Sequence, residues 1–195
     1  MKFFAGSLVI AVVAISWSAG ATEEEPRLLA KVTSLPVALN KDFEFRKTKL
    51  YFLSERQLRG QGKPASASLK QSAANEAYSK ASTSQDVSIT FERDYRLFGA
   101  VTGLDRRQRF GNYFDFFWRA KRPADVTVRL EYRQEKLHAQ VQAQEVSYAN
   151  VRGTQRTEFK VIGDDYFDDG KVIAWRCLLI ENGAVVAENR SFLWE

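Results

Sequence analysis

Cysteine, histidine and methionine each occur once in the 195 residues, and proline only four times. With Cys177 alone the chain cannot form an intramolecular disulfide, so a folded domain must rest on its hydrophobic core. Cys177 sits within Ala174-Trp175-Arg176-Cys177-Leu178-Leu179, where a thiol serves as a small buried hydrophobe. A single histidine, His138, excludes a histidine-based zinc cluster and leaves any Ser-His-Asp arrangement dependent on that one side chain. Charge of one sign does not dominate either. Lys and Arg number 29 against 24 Asp and Glu, a mixed surface from which no nucleic-acid function follows.

Long apolar runs are also scarce. The one example, Phe3 to Ala21, follows Lys2 and ends in Ala19-Gly20-Ala21 before Thr22-Glu23-Glu24-Glu25. One positive charge, a short apolar stretch diluted by Gly and Ser, and a small-residue end are what a translocation signal and its peptidase require. Residues 1–21 are therefore expected to be a cleavable signal helix, leaving no stable membrane span and placing the protein in the periplasm or outside the cell. No cysteine stands at the cleavage point, and a disulfide-free exported chain fits a bacterial source.

Residues 22–40 lack clear periodicity, and residues 41–195 are expected to form one domain. From Phe43 onward the dominant period is two. Val126, Val128, Leu130 and Tyr132 alternate with Thr127, Arg129, Glu131 and Arg133, the pattern of a strand with one buried face. Phe114, Phe116 and Trp118 share one side of another segment; Val87, Ile89 and Phe91 repeat the pattern, as do Leu137, Ala139, Val141 and Ala143, and Phe159 with Val161. In Phe43–Leu53 the phase changes between Phe45 and Leu50, which predicts a β-bulge.

Asn182-Gly183 predicts a two-residue hairpin turn, because both residues tolerate positive φ. Its register sets Ile180 opposite Val185, Ile173 opposite Phe192, and Trp175 opposite Arg190 for a cation–π contact. Pro123-Ala124-Asp125 reads as a second turn. Residues 60–85, rich in Ser, Ala, Gln and Lys, read as a long loop, with Leu69, Ala73, Ala77 and Ala81 at the spacing of a short helix near 66–81.

Together these signals predict an all-β, antiparallel sandwich of eight or nine strands. An outer-membrane barrel is disfavoured because Arg129, Glu131, Arg176 and Glu188 interrupt any lipid-facing surface. The run Phe114-Asp115-Phe116-Phe117-Trp118, then Pro123, then Val126 to Arg133, resembles the second and third strands of a fibronectin type III module. The run from Phe159 through Trp175 to Gly183 is similar in outline to that module's last three strands. The resemblance covers Tyr113 to Trp194, and the module's usual tyrosine near its penultimate strand has no secure counterpart. It implies an immunoglobulin-like fold and a partner-binding role, and no active site.

Three constellations could carry chemistry. Asp164, Asp165, Asp168 and Asp169 crowd one connection and could hold Ca²⁺, although their spacing does not match the helix-flanked calcium loop and suits a solvated turn better. A secreted hydrolase using two of these aspartates is a further alternative, but such pairs normally face each other across a cleft. Arg106, Arg107 and Arg109 lead into Tyr113 and Phe117, followed by Arg119; basic residues interleaved with aromatics could grip a polyanion or a carbohydrate, while charged strand edges that discourage aggregation explain them equally well. His138 falls on the polar side of its expected strand and reads as a surface residue. The expectation is a non-enzymatic, exported binding or structural module that recognises a protein or a cell-envelope component and needs no cofactor.

Overall fold

The computed structural model describes residues 25–55 and 88–194. The expected signal at 1–21, the loop at 60–85 and the helix near 66–81 lie outside the described residues. Within them the fold is dominated by an antiparallel sheet of six strands: β1 (Arg27–Leu28), β2 (Phe43–Leu53), β3 (Gly111–Gln134), β4 (Val141–Ile162), β5 (Val172–Glu181) and β6 (Ala184–Arg190). Helical segments among the described residues include α1 (residues 88–97), α2 (Gly103–Arg107) and α3 (Asp164–Asp169).

The frame is the β3–β4 hairpin, whose strands run 24 and 22 residues. A strand that long cannot stay flat over one core. It bends where the register shifts twice, between Ala120 and Ala124 and between Ala124 and Val126. Pro123 fits there because a bulge asks no ladder donor of it. On β4 the matching bend takes positive φ at Asn150 and Gly153, and Asp125 accepts a hydrogen bond from the Asn150 amide at 2.7 Å. The sequence reads Pro123-Ala124-Asp125 as a turn between two strands, and it is instead a bend within one.

Beyond the bend, β3 changes its second neighbour. Gly111 to Ala120 pair with β2, whereas Thr127 to Gln134 pair with β5, which in turn pairs with β6. The two halves of the sheet face each other. Trp175 of β5 meets Phe116 of the first half at 5.4 Å and Phe114 at 6.1 Å, both edge to face. Phe116, Trp118, Leu130, Tyr132 and Phe159 are fully buried in this core, each contributing about 2–3 kcal/mol by area removed from water. Thr157 satisfies the polar atoms among them, accepting from Trp118 Nε1 at 2.9 Å and meeting the Tyr148 hydroxyl at 2.8 Å. Alternation placed Phe116, Trp118, Leu130, Tyr132 and Phe159 correctly, and Cys177 is buried as its apolar neighbours imply, with its thiol pushed well up in pKa by burial.

The phase break in β2 is a bulge, with the register shifting between Phe45 and Lys47. Asn182 and Gly183 form the tight turn with φ of 51° and 77°, and Ile180 pairs with Val185. A further shift between Leu179 and Ile180 then moves the register by one, so Arg190 lies opposite Arg176 rather than Trp175. Ser191 takes the place beside Trp175, donating its amide to the Trp175 carbonyl at 2.9 Å.

Three more expectations fail. Ile89 and Phe91 lie in a helix, where a run of charged residues at 92–94 and 96 faces a mixture of sheet and solvent, so a short alternation signal did not mean a strand. Residues 135–139 form turns rather than a strand, and His138 adopts φ 53° there, exposed as expected but not on a strand face. Eight or nine strands become six among the described residues, all in one sheet. The segment read as irregular adds β1 to the edge of β4, and Val37 bridges Val185 in parallel.

Gly111 opens β3 with φ 141°, and a Cβ there would meet the Val161 carbonyl oxygen at 2.2 Å. Gly111→Ala should therefore cost at least about 3 kcal/mol in urea unfolding, whereas Gly103→Ala, with nothing within 4 Å, should stay within about 0.5 kcal/mol.

Candidate functional site

The outward face of the first half-sheet is fixed by register. Three rows cross β2, β3 and β4: Tyr51–Tyr113–Lys160, then Lys49–Asp115–Glu158, then Lys47–Phe117–Arg156. A fourth holds Glu44, Arg119 and Thr154.

The first two rows are roofed by α1 through Arg96. This guanidinium is buried, with its carbon 4.0 Å from the Tyr113 ring centre and 5.5 Å from that of Tyr51. It donates to Glu158 at 2.9 Å and lies 3.6 Å from Asp115 and 3.5 Å from Glu92. Arg156 approaches the other side of Asp115 at 2.7 Å, and Lys160 the other side of Glu158 at 3.1 Å. Both carboxylates are thus held between two cations. Burial raises the Glu158 pKa, but hydrogen bonds from Arg96 and Lys160 outweigh it and leave the group below its ordinary 4.5. Burial pushes the Tyr113 hydroxyl up to about 12, and it donates to the Arg109 carbonyl at 2.6 Å.

Tyr113 is therefore a core residue at 4 % exposure, not an available stacking surface. The helix that covers it was not legible, because its residues read as a strand. Arg109 is also structural: Nη1 donates to the Arg96 and Phe98 carbonyls at 2.9 and 2.5 Å, closing the end of α1. A cavity of about 390 Å³ beside this joint is lined by Tyr95, Phe98, Arg109, Lys160 and Ile162 among others.

Arg106 and Arg107 lie apart from the face, on α2, where the Thr102–Asp105 capping box starts the helix. Arg107 stacks on Phe167 at 4.0 Å. Of the six residues expected to form one surface, only Phe117 and Arg119 lie together on the outward face. Phe117 is half-buried, with Lys49 Nζ 5.9 Å and the Arg156 guanidinium 6.0 Å from its ring centre. Lys47, Lys49, Arg119, Arg156 and Lys160 are all exposed around it. Lys47, Lys49 and Arg156 come from other strands, and only the register joins them to Phe117. The one signal in the sequence was the phase break in β2, which turns both lysines outward.

The aspartate cluster takes another form. Asp164, Asp165, Asp168 and Asp169 lie on α3, a helix of six residues anchored by Gln134, whose Nε2 donates to the Asp165 and Gly170 carbonyls at 2.8 and 2.9 Å. Burial and then the neighbouring aspartates raise the Asp165 pKa. At positions i, i+1, i+4 and i+5 the four carboxylates share one side of this short helix, which is why the neighbours act on Asp165, yet among the described residues no group of three or more His, Cys, Asp or Glu could hold a metal ion. Residues 164–169, read as a solvated turn that could alternatively hold Ca²⁺, form a short helix.

The opposite half-sheet carries a second buried ion-pair set. Glu131, at 1 % exposure, lies 2.7 Å from Arg176 and 3.6 Å from Arg129, and Arg129 also pairs with Glu145. Arg133 and Arg176 stack on Trp194, which closes that side. Arg129, Glu131 and Arg176 are thus paired and largely covered, whereas Glu188 on β6 is exposed.

Arg96→Met should destabilise the fold by about 2 kcal/mol in urea unfolding, less than for a wholly unpaired buried charge because Arg156 and Lys160 keep their carboxylates partnered. Because the folded pKa of Glu158 is lowered, its contribution is fully present above the unfolded value and lost as pH falls through the folded one. Between about pH 6 and about pH 3, Glu158→Gln should consequently lose less stability than the parent protein, read as urea midpoints across that range.

No protein-family model, curated protein or solved structure matches this chain.

Proposed function

We propose that this protein is a non-enzymatic, exported binding module that uses the outward face of β2, β3 and β4 around Phe117 to engage an acidic protein or cell-envelope component. The supporting observation is an imbalance of charge at that face. Asp115 and Glu158 are consumed by Arg96, Arg156 and Lys160, so Lys47, Lys49 and Arg119 face outward around an aromatic ring with few opposing carboxylates. Such a patch attracts anionic partners and gives them one apolar surface to dry. A carbohydrate or polyanion would use the same cations and ring, and is the alternative partner.

In this reading the facing halves of the bent sheet serve as the two layers of an immunoglobulin-like sandwich, a rigid scaffold for adhesion. The non-catalytic part of the proposal draws support from the placement of the single histidine, His138, on an exposed turn rather than in a cleft.

The purified protein should be retained on an immobilised sulfated polysaccharide at low salt and elute as salt rises. Lys49→Glu combined with Arg119→Glu should weaken retention by about tenfold in affinity without shifting the thermal midpoint. Unretained parent protein, or a double variant that elutes with the parent, would remove this face from consideration. Cross-linking in the producing cells then separates the alternatives: a stoichiometric protein adduct selects the protein partner.

A further inference from the structure

Between β2 and β6 the bent sheet stops short of closing. Residues 36–38 pair with Val185, and beyond them two contacts mark the ends of the gap: the Asn40 amide donates to the Val186 carbonyl at 2.9 Å, and Asn189 Nδ2 donates to Thr48 Oγ1 at 2.7 Å. On β6 these anchors are three residues apart, a rise of about 10 Å. On the other side, Asn40 and Thr48 are eight positions apart, and the path between them includes a turn and the β2 bulge. The longer path must bow away from the shorter one. The space it leaves is a pocket of about 680 Å³, bounded at each end by an anchor.

The lining is divided by chemistry. Phe43, Phe45, Val186 and Ala187 supply an apolar wall continuous with the main core. Lys41, Arg46, Lys47, Glu44 and Glu188 supply the charged groups. Arg46 pairs with Glu44 at 3.3 Å, which leaves Lys41 and Lys47 against Glu188 and an excess of positive charge. A distance of about 10 Å between anchors is too short to seat a β-strand of ordinary length along the edge. The volume falls in the range of small-molecule sites, and an apolar wall with a few charged groups is their usual composition.

We propose that this pocket binds a small anionic amphiphile, with its single apolar chain against Phe43, Phe45, Val186 and Ala187 and its acidic head at Lys41 and Lys47. Charge complementarity selects the anion over a cation, and the apolar wall selects a chain over a bare phosphate or carboxylate. The site goes beyond the outward face described above and shares Glu44 and Lys47 with it. Neither Lys49 nor Arg119 lines the pocket, so the polysaccharide experiment and the following one fail independently.

The test compares decanoate with decyltrimethylammonium, which carry opposite charges on alkyl chains that differ by one carbon, by calorimetric titration into the full-length protein below their micelle concentrations. Decanoate should bind at one site and more tightly than the cation. Lys41→Glu with Lys47→Glu, both on the surface, should weaken decanoate by about tenfold and narrow or reverse the preference. Ala187→Phe should fill the pocket and lower binding of both probes; a thermal midpoint for each variant reports whether it has folded. Absence of decanoate binding, equal binding of the two probes, or decanoate affinity unchanged in the folded double-lysine variant would each overturn the proposal. Acetate serves as the headgroup without the chain, and acetate binding as tight as decanoate would also overturn it.

Discussion

Trp175 can reach Phe116 across the core only because β3 and β4 change direction together near Ala120–Val126. Two adjacent strands must bend at the same height, or the hydrogen bonds between them are lost. Here one strand supplies a proline and two register shifts, and the other supplies Asn150 and Gly153 at positive φ. Asp125 ties the two together through the Asn150 amide. Without this coordinated bend, β2 and β5 would extend along one edge of a flat sheet and Phe114, Phe116, Trp118, Val128 and Leu130 would share no interior. The bend also determines the seam, since β2 and β6 approach each other only when the two half-sheets face.

Folding one sheet over itself buries one face and leaves two outward faces to be managed. Both are crossed by charges, and both use the same device. Arg96 sits between Asp115 and Glu158 on one side, and Glu131 between Arg129 and Arg176 on the other, each set roofed by aromatic or terminal segments. Buried ion pairs contribute little net stability compared with apolar packing, because desolvation offsets attraction. Their value is in placement. An unpaired partner is costly, so α1 has one seat over Tyr113, and the cations left outside that arrangement define the exposed face around Phe117.

Alternation made the interior legible: Phe114, Phe116, Trp118 and the even-numbered residues from Val126 to Tyr132 face inward as their pattern implies. Asn182-Gly183 identified its turn because positive φ is a local requirement. The failures share a physical cause, which is that a local signal was asked to decide a nonlocal question. Pro123-Ala124-Asp125 suits a turn and a bulge equally, and only the partner strand decides between them. Ile89 and Phe91 alternate over too few residues to distinguish a strand from a helix that packs through Arg96 and Leu97. Of the candidate surface, Phe117 and Arg119 were legible, but Lys47, Lys49 and Arg156 join them through register, and Tyr113 was lost to a helix roof that no strand pattern reveals.

The bulge between Phe45 and Lys47 shows how one inserted residue can shape two surfaces. Strict alternation from Phe45 would turn Lys47 and Lys49 toward the core and Thr48 outward. Burying two ammonium groups there would cost several kcal/mol each. The extra residue, Arg46, reverses the phase, so Thr48 faces inward to meet Asn189 while both lysines join Phe117 outside. The same residue lengthens the path between Asn40 and Thr48 and so opens the pocket at the seam. A deletion that restored alternation would remove both features together, which makes this bulge the point where the geometry of the fold and its surface chemistry are set by a single local choice.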